Sequence, residues 1–271
     1  TYTYMDTKVD LTNGHKKAAK AFELFKKIKP DGVIAADDNA QSMFVLPYLK
    51  DKVKIPIIFC GVNAKAEKYG YPTENISGCE ERGHLRETIA FARQLVPELK
   101  SVAFVSKKSP SGDALRLQVK EEQKNFGLPV SLFLLAQSTT DVLAEKSRLS
   151  KCSAIFVLSV EGLLDENGHT MAHREVAAFV QKHTGKIILG ANRYHITNGA
   201  LCAVVKTGNE QGHSAGDILL EALRGTPIEK LPVTRNFRGR RYINVSTMKQ
   251  FGIKPNPYAF LGAKLLRTME R

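Results

Sequence analysis

No stretch of the 271-residue chain approaches the roughly eighteen uninterrupted apolar residues that a membrane-spanning helix needs. The hydrophobic share of 43% is still that of a globular protein. The sequence therefore reads as a soluble chain long enough for two cores. Cysteine is scarce. Cys60, Cys79, Cys152 and Cys202 lie far apart with no C-x-x-C pair, which argues against a structural zinc site or a thioredoxin-like motif. Cys60, Cys152 and Cys202 fall within or beside apolar runs, where cysteine behaves as a small hydrophobe. Cys60 and Cys79 would meet if their strands are neighbours, and an oxidising compartment would then let them pair.

Catalytic signatures are missing as well: no P-loop, no G-x-S-x-G elbow, no H-E-x-x-H and no G-x-G-x-x-G. The opening residues Thr1-Tyr2-Thr3-Tyr4-Met5-Asp6 include neither a start methionine nor a signal peptide. A removed leader or an upstream segment is the expectation.

Acid is in short supply, with 27 Asp and Glu against 40 Lys and Arg and a formal net charge of +13. Between Arg235 and Arg271 nine Lys or Arg face one acid, Glu270. Such a patch would suit nucleic acid or an anionic membrane surface. No zinc-finger spacing, RRM aromatic signature or separate helix-turn-helix segment accompanies it. The expectation is a solvated basic face and no nucleic-acid partner.

What the chain does have is a repeated pattern. Val33-Ile34-Ala35-Ala36-Asp37-Asp38-Asn39-Ala40-Gln41 precedes Ile57-Ile58-Phe59-Cys60-Gly61-Val62-Asn63. Much later, Ala154-Ile155-Phe156-Val157-Leu158-Ser159-Val160-Glu161-Gly162 precedes Ile187-Ile188-Leu189-Gly190-Ala191-Asn192-Arg193. Each is a short apolar run whose last residues turn polar, as buried parallel strands do where they reach a site. Helical stripes lie between such runs: Asn13 to Ile28, His84 to Val96, Asp113 to Phe126, Val142 to Leu149, Thr170 to His183 and Gln211 to Leu223. The class is α/β, read as two Rossmann-like lobes. The opening stretch that ends Met5-Asp6-Thr7-Lys8 has no strand and helix before it, so the first β-α unit of the first lobe is expected to be missing.

These residues resemble a known family. Met-Asp-Thr-Lys at 5 to 8, Lys-Pro-Asp at 29 to 31, Asp-Asp-Asn-Ala-Gln at 37 to 41 and Ile-Pro-Ile-Ile-Phe-Cys-Gly-Val-Asn at 55 to 63 are similar to one branch of the ABC-transporter substrate-binding proteins. Later landmarks are Asn75-Ile76-Ser77-Gly78, Arg224-Gly225-Thr226-Pro227, and Asn244 through Gly252 before Pro255. The resemblance covers nearly the whole chain. It implies a type I periplasmic-binding-protein fold with two lobes, a hinge, three crossovers, a ligand in the interlobe cleft, no catalysis and no cofactor. Implied partners are a small polar molecule, such as an amino acid or derivative, and an ABC permease. A ligand-sensing outer domain of a membrane signalling receptor is the alternative. A monomer in the periplasm or another extracytoplasmic place is expected, with a membrane anchor as an option. The better-known branches, linked to aromatic amino acids, carry a Gly-Thr-like turn where this chain has Asp37-Asp38-Asn39.

The expected lobes are residues 1–82 with 200–236, and 83–199 with 237–271. Crossovers are placed near Glu80 to Gly83, Asn198 to Ala200 and Arg235 to Arg240, with Gly83, Gly199 and Gly239 as candidate hinge glycines.

Candidate ligand contacts follow from strand ends. Asp37, Asp38, Asn39 and Gln41 close the first strand and open a helix, where backbone N–H groups suit an anion and carboxylates a cation. Asp38 or Asn39 would serve equally as a helix cap. Gly61 and Asn63 end the next strand. Ser109, Ser111 and Asp113 begin a helix and suit a carboxylate or hydroxyl, or again a cap. Glu161 would take an ammonium, and Asn192, Arg193 and Tyr194 end the strand after it, with Arg193 available to a carboxylate. Tyr69, Tyr71 and Tyr194 would supply an aromatic wall. The rival class is an enzyme using Asp37 and Asp38 as a magnesium pocket. No further motif supports it, so neither catalytic nor metal residues are assigned. His169 and His173, four apart, are expected to be exposed to solvent rather than to hold metal.

Overall fold

The computed structural model describes residues 1–5 and 13–269. Asp6, Thr7 and Lys8 of the Met-Asp-Thr-Lys motif lie outside the described residues, and 1–5 carry no regular structure. In chain order, α1 (Gly14–Ile28) precedes β1 (Val33–Ala36). A single turn, α2 (Asp38–Ala40), runs into a π-helical stretch over Gln41–Leu49, and β2 (Ile57–Val62) and β3 (Ile76–Glu80) follow. Next come α3 (Leu85–Leu95), β4 (Val102–Lys107), α4 (Pro110–Glu122), β5 (Val130–Ala136), α5 (Thr139–Ala144), α6 (Lys146–Leu149) and β6 (Ala154–Val157). The hairpin of β7 (Leu163–Leu164) and β8 (Thr170–Met171) leads to α7 (His173–Thr184), β9 (Ile187–Leu189), α8 (Arg193–Thr197) and β10 (Cys202–Val205). After these lie α9 (Gly208–Leu223), β11 (Thr234–Arg235), β12 (Arg240–Asn244), α10 (Val245–Gln250) and β13 (Ala263–Leu266).

Packing divides the chain into two units, Thr1–Arg82 with Thr207–Arg238 and Gly83–Lys206 with Gly239–Arg271. The sheet of the first unit is parallel throughout, in the order β1-β2-β3-β11. Both faces of β2 are covered, which is why its sequence is apolar without alternation. Ile57 and Phe59 pack with Ala18 and Ala21 of α1 and with Val45 and Leu49 of the π-helical stretch. Ile58 and Cys60 face Ala215 of α9, with Ile228 and Leu231. Gly78 on β3 has to be glycine, since a Cβ there would lie 2.2 Å from the Phe59 carbonyl oxygen.

The second unit holds a parallel sheet in the order β5-β4-β6-β9 and a three-stranded sheet β10-β12-β13. Phe104 on β4 stacks on Phe156 of β6 at 4.6 Å and on Phe133 of β5 at 5.5 Å. The opposite face sets Val105, Ile155 and Val157 against Val176 and Val180 of α7.

Several boundaries differ from the sequence reading. Helix α4 starts three residues early, at Pro110, because Ser109 caps it: the Ser109 hydroxyl accepts the Gly112 N–H at 3.2 Å. The helix expected from Thr170 starts at His173, because Thr170 and Met171 are paired with Leu164 and Leu163. The chain passes between units after Arg82, Lys206 and Arg238. The second passage falls beyond the expected 198–200, because β10 is paired antiparallel with β12 and stays in the second unit.

The three passages are tied together on the first-unit side. Asn236 accepts the Arg82 N–H at 2.6 Å and donates to the Arg82 carbonyl at 2.9 Å. The Glu210 carboxylate, at the start of α9, accepts the N–H groups of Phe237, at 2.6 Å, and Arg238.

Candidate ligand-binding site

The carboxyl ends of β1 and β2 carry the first group of polar side chains. Asp37 has φ 82° and ψ 154°, a conformation that a side chain disfavours. It is held there because its N–H donates to the Cys60 carbonyl at 3.0 Å and its carboxylate accepts the Asp38 N–H at 2.7 Å. Asp37 is thus the cap of α2, the role considered for Asp38 or Asn39.

Asp38 itself is engaged by its own unit. Its carboxylate accepts the Tyr69 hydroxyl at 2.7 Å and the N–H groups of Asn63 and Ala64 at 3.0 and 3.2 Å. Burial works to raise its pKa, but the Tyr69 hydroxyl and those two N–H groups outweigh it and hold the carboxyl below the ordinary aspartate range. Gln41 is fully buried, donating to Ala35 and Asp37 carbonyls and accepting the Tyr71 hydroxyl at 3.2 Å. Tyr69 and Tyr71 are therefore core tyrosines with bonded hydroxyls. Burial, reinforced for Tyr69 by Asp38, pushes both phenols up. Asn39 is half-buried and Asn63 exposed.

Gly61, at φ 63°, donates its N–H to Gln211 Oε1 at 2.9 Å. That bond fixes the Gln211 amide, because an N–H can only meet the oxygen side. The other end, Nε2, is buried without a hydrogen-bond partner. Gln211 was read only as the start of a helix, and nothing local marks a contact 150 residues away.

In the second unit the ends of β4, β6 and β9 hold the remaining candidates. Ser109 is occupied as the α4 cap, Ser111 is exposed, and Asp113 forms an exposed ion pair with Arg116 at 3.0 Å. Glu161 is exposed and accepts the Tyr194 hydroxyl at 2.8 Å. Arg193 is exposed in the first turn of α8, and Asn192 precedes it. Lys107, at the end of β4, reaches over Gly162, where an added Cβ would lie 2.9 Å from its Nζ.

Beneath Tyr194 lie two histidines that the sequence reading did not select. His173 is buried, against the expectation of an exposed pair with His169, because the β7–β8 hairpin moves the start of α7 to His173 itself. Its Nε2 faces the Val157 carbonyl at 3.0 Å and its Nδ1 faces the Asn198 amide at 3.2 Å. His195 stacks on it at 4.3 Å, and its Nδ1 accepts the N–H groups of Ala191 and Asn192 at 3.0 and 3.1 Å. Both rings are therefore assigned as neutral with the proton on Nε2. Burial lowers both pKa values, and His173 adds to the effect on His195. His195 Nε2 is the second buried polar atom without a partner.

All four cysteines are buried and unpaired. Burial, followed by Cys79 and Glu81, raises the Cys60 thiol to about 11. Among the described residues no group of three or more His, Cys, Asp or Glu is placed to hold a metal ion.

The chain matches the family model for ABC transporter substrate binding proteins over residues 3–259, and it belongs to that family. None of the curated proteins matches it. Among solved structures it is similar to a ligand-free, open substrate-binding protein with adhesive properties from Clostridium difficile. The TM-score is 0.68 at 16% identity, over 95% of this chain and 85% of that one. It is also similar to an ABC domain in complex with L-Trp from Streptococcus pneumonia, with TM-score 0.53, 18% identity, and 93% and 83% covered. A conserved domain protein from Vibrio cholerae gives TM-score 0.53, 17% identity, and 93% and 83% covered. The fold is that of the type I periplasmic binding proteins. The family is extracytoplasmic, and no described helix is long and apolar enough to cross a membrane.

Proposed function

We propose that this substrate-binding protein captures an amino acid or a close derivative at its strand ends, for delivery to an ABC permease, without catalysing a reaction on it. The observation that carries this reading is the exposed Glu161 carboxylate fixed by the Tyr194 hydroxyl at 2.8 Å. A carboxylate oriented by a neutral donor keeps its charge for an ammonium group. Lys107 and Arg193, on the neighbouring strand ends, offer cations to a carboxylate. Asp38 is not assigned to the ligand here, since three donors of its own unit already occupy it.

The test is mass spectrometry of small molecules released from purified protein, followed by melting with the identified compound. At 100 times its dissociation constant the compound should stabilise the fold by about 2.7 kcal/mol, or several degrees at roughly 2 to 4 °C per kcal/mol. Glu161→Gln should remove most of that shift and leave the unliganded melting point unchanged, because Glu161 is exposed. Recovery of a compound without an amine, or a full shift in Glu161→Gln, defeats the amino-acid reading.

A further inference from the structure

Asparagine precedes glycine at Asn13–Gly14, Asn167–Gly168 and Asn198–Gly199. Such a pair is chemically fragile, because a glycine nitrogen has no side chain beside it to keep it from the asparagine amide carbon. The next residue is His15, His169 or Ala200, so local sequence ranks the three alike. The fold does not. Gly14 is buried as the first residue of α1, away from the water that has to take the proton from its nitrogen. Asn198 is half-buried, and its amide is held against His173 Nδ1 at 3.2 Å. Asn167 and Gly168 lie in the turn between β7 and β8, and both are exposed. The Gly168 N–H donates to the Asp165 carbonyl at 3.2 Å and the Gly199 N–H to the Ile196 carbonyl at 3.1 Å. Those two nitrogens are alike, and the difference lies in the asparagine and its exposure. A Cβ added at Gly168 would meet no atom within 4 Å, so nothing around that turn obstructs ring closure.

We propose that Asn167 is a modification site, where the folded protein loses a side-chain amide with age. The Gly168 nitrogen gives its proton to hydroxide and bonds to Asn167 Cγ. The Cγ–Nδ2 bond breaks, and the amide nitrogen takes a proton from water and leaves as ammonia. Water then opens the cyclic imide at either carbonyl, leaving aspartate or a backbone-lengthened isoaspartate. Nothing is oxidised or reduced. Either product sets a new carboxylate close in sequence to Asp165 and Glu166, where like charges repel. Isoaspartate also adds a methylene to the backbone of a turn that joins strands of 2 residues each. The change bears on the pairing of Leu163 with Met171 and of Leu164 with Thr170. The Gly162 N–H donates to the Met171 carbonyl at 2.9 Å, so the turn that carries Glu161 loosens with the hairpin.

The test is to age the whole chain in mildly alkaline buffer, natively and in denaturant, and to follow its tryptic peptides by mass spectrometry. The peptides that carry Asn13, Asn167 and Asn198 each contain no other amide side chain, so a mass change of amide to acid is assigned without ambiguity. In the native protein Asn167 should convert several-fold faster than either of the others. In denaturant that lead should vanish, since it comes from the fold. Hydrogen exchange should then quicken at Thr170 and Met171 in the aged protein and stay unchanged in Asn167→Gln aged alongside it. The substitution is at an exposed turn position, and a melting curve checks that the variant is folded. No conversion at Asn167, equal conversion at Asn13 or Asn198 in the native protein, or the same lead in denaturant overturns the site. Equal exchange in the aged protein and the aged variant overturns its effect on the hairpin.

Discussion

The Tyr69 hydroxyl donates to Asp38 Oδ1 across 2.7 Å, joining positions 31 residues apart. This bond, with the N–H groups of Asn63 and Ala64 on the same carboxylate, closes the loop after β2 onto the start of α2. Tyr69→Phe keeps the ring packing and removes only the donor. It should cost about 1 to 2 kcal/mol at neutral pH. The folded pKa of Asp38 is depressed, so its contribution is complete above the ordinary 3.8 and is lost as pH falls through the lower folded value. Urea unfolding at pH 7 and near pH 3 should therefore show a deficit that shrinks in acid. A deficit independent of pH would place the effect in packing instead.

His173 and His195 work in the opposite part of the pH scale. Their folded pKa values lie below the ordinary 6.5, so the unfolded chain takes up protons that the native rings refuse. Stability should be level above about 6.5 and decline as pH drops below it. Nitrogen NMR of the rings at pH 6 should find both neutral and protonated on Nε2. An imidazolium signal from either one refutes the assignment.

Glu210→Gln keeps the size of the side chain but weakens the acceptor shared by Phe237 and Arg238. We expect a loss of about 1 to 2 kcal/mol, with faster proteolytic cutting near Phe237, which is 61% exposed. Asn236→Ala removes both bonds to Arg82 and should act at the same place. Unchanged cutting in both variants would show that the passages between units do not depend on these side chains.

Buried thiols with raised pKa values react slowly, since the thiolate is the nucleophile. A chromogenic disulfide reagent should label none of the four cysteines quickly in the native protein and all four in denaturant. Fast labelling of one thiol without denaturant would mean that its burial is incomplete.

The α/β class and most of the apolar strands were legible because a strand covered on both faces is continuously hydrophobic, as Ile57 to Cys60 and Ala154 to Val157 are. β12 was not, because it begins Arg240-Arg241 and pairs with β10 through partners about 40 residues away, which leaves no local pattern. In the candidate site, residue type and strand-end position singled out Glu161 and Tyr194, which the structure joins. Of the two histidines beneath them, His195 was not singled out and His173 was read as exposed, whereas both are buried. A histidine that starts a helix looks exposed in sequence, and only the Val157 carbonyl 16 residues earlier reveals that His173 is held inside. Gln211 was hidden for the same reason, its partner Gly61 being remote along the chain.

The first unit is assembled from two separated segments, and this sets an order on synthesis. Its sheet lacks β11, and the face of β2 carrying Ile58 lacks α9, until residues 207–238 have left the ribosome. The whole of 83–206 has to be made in between. At about 5 to 20 residues per second that interval lasts roughly 6 to 25 s, during which Ile58 and Cys60 have no cover. The nascent chain therefore offers the second unit's parallel sheet a head start, and the earliest-made strands wait longest for their final partners.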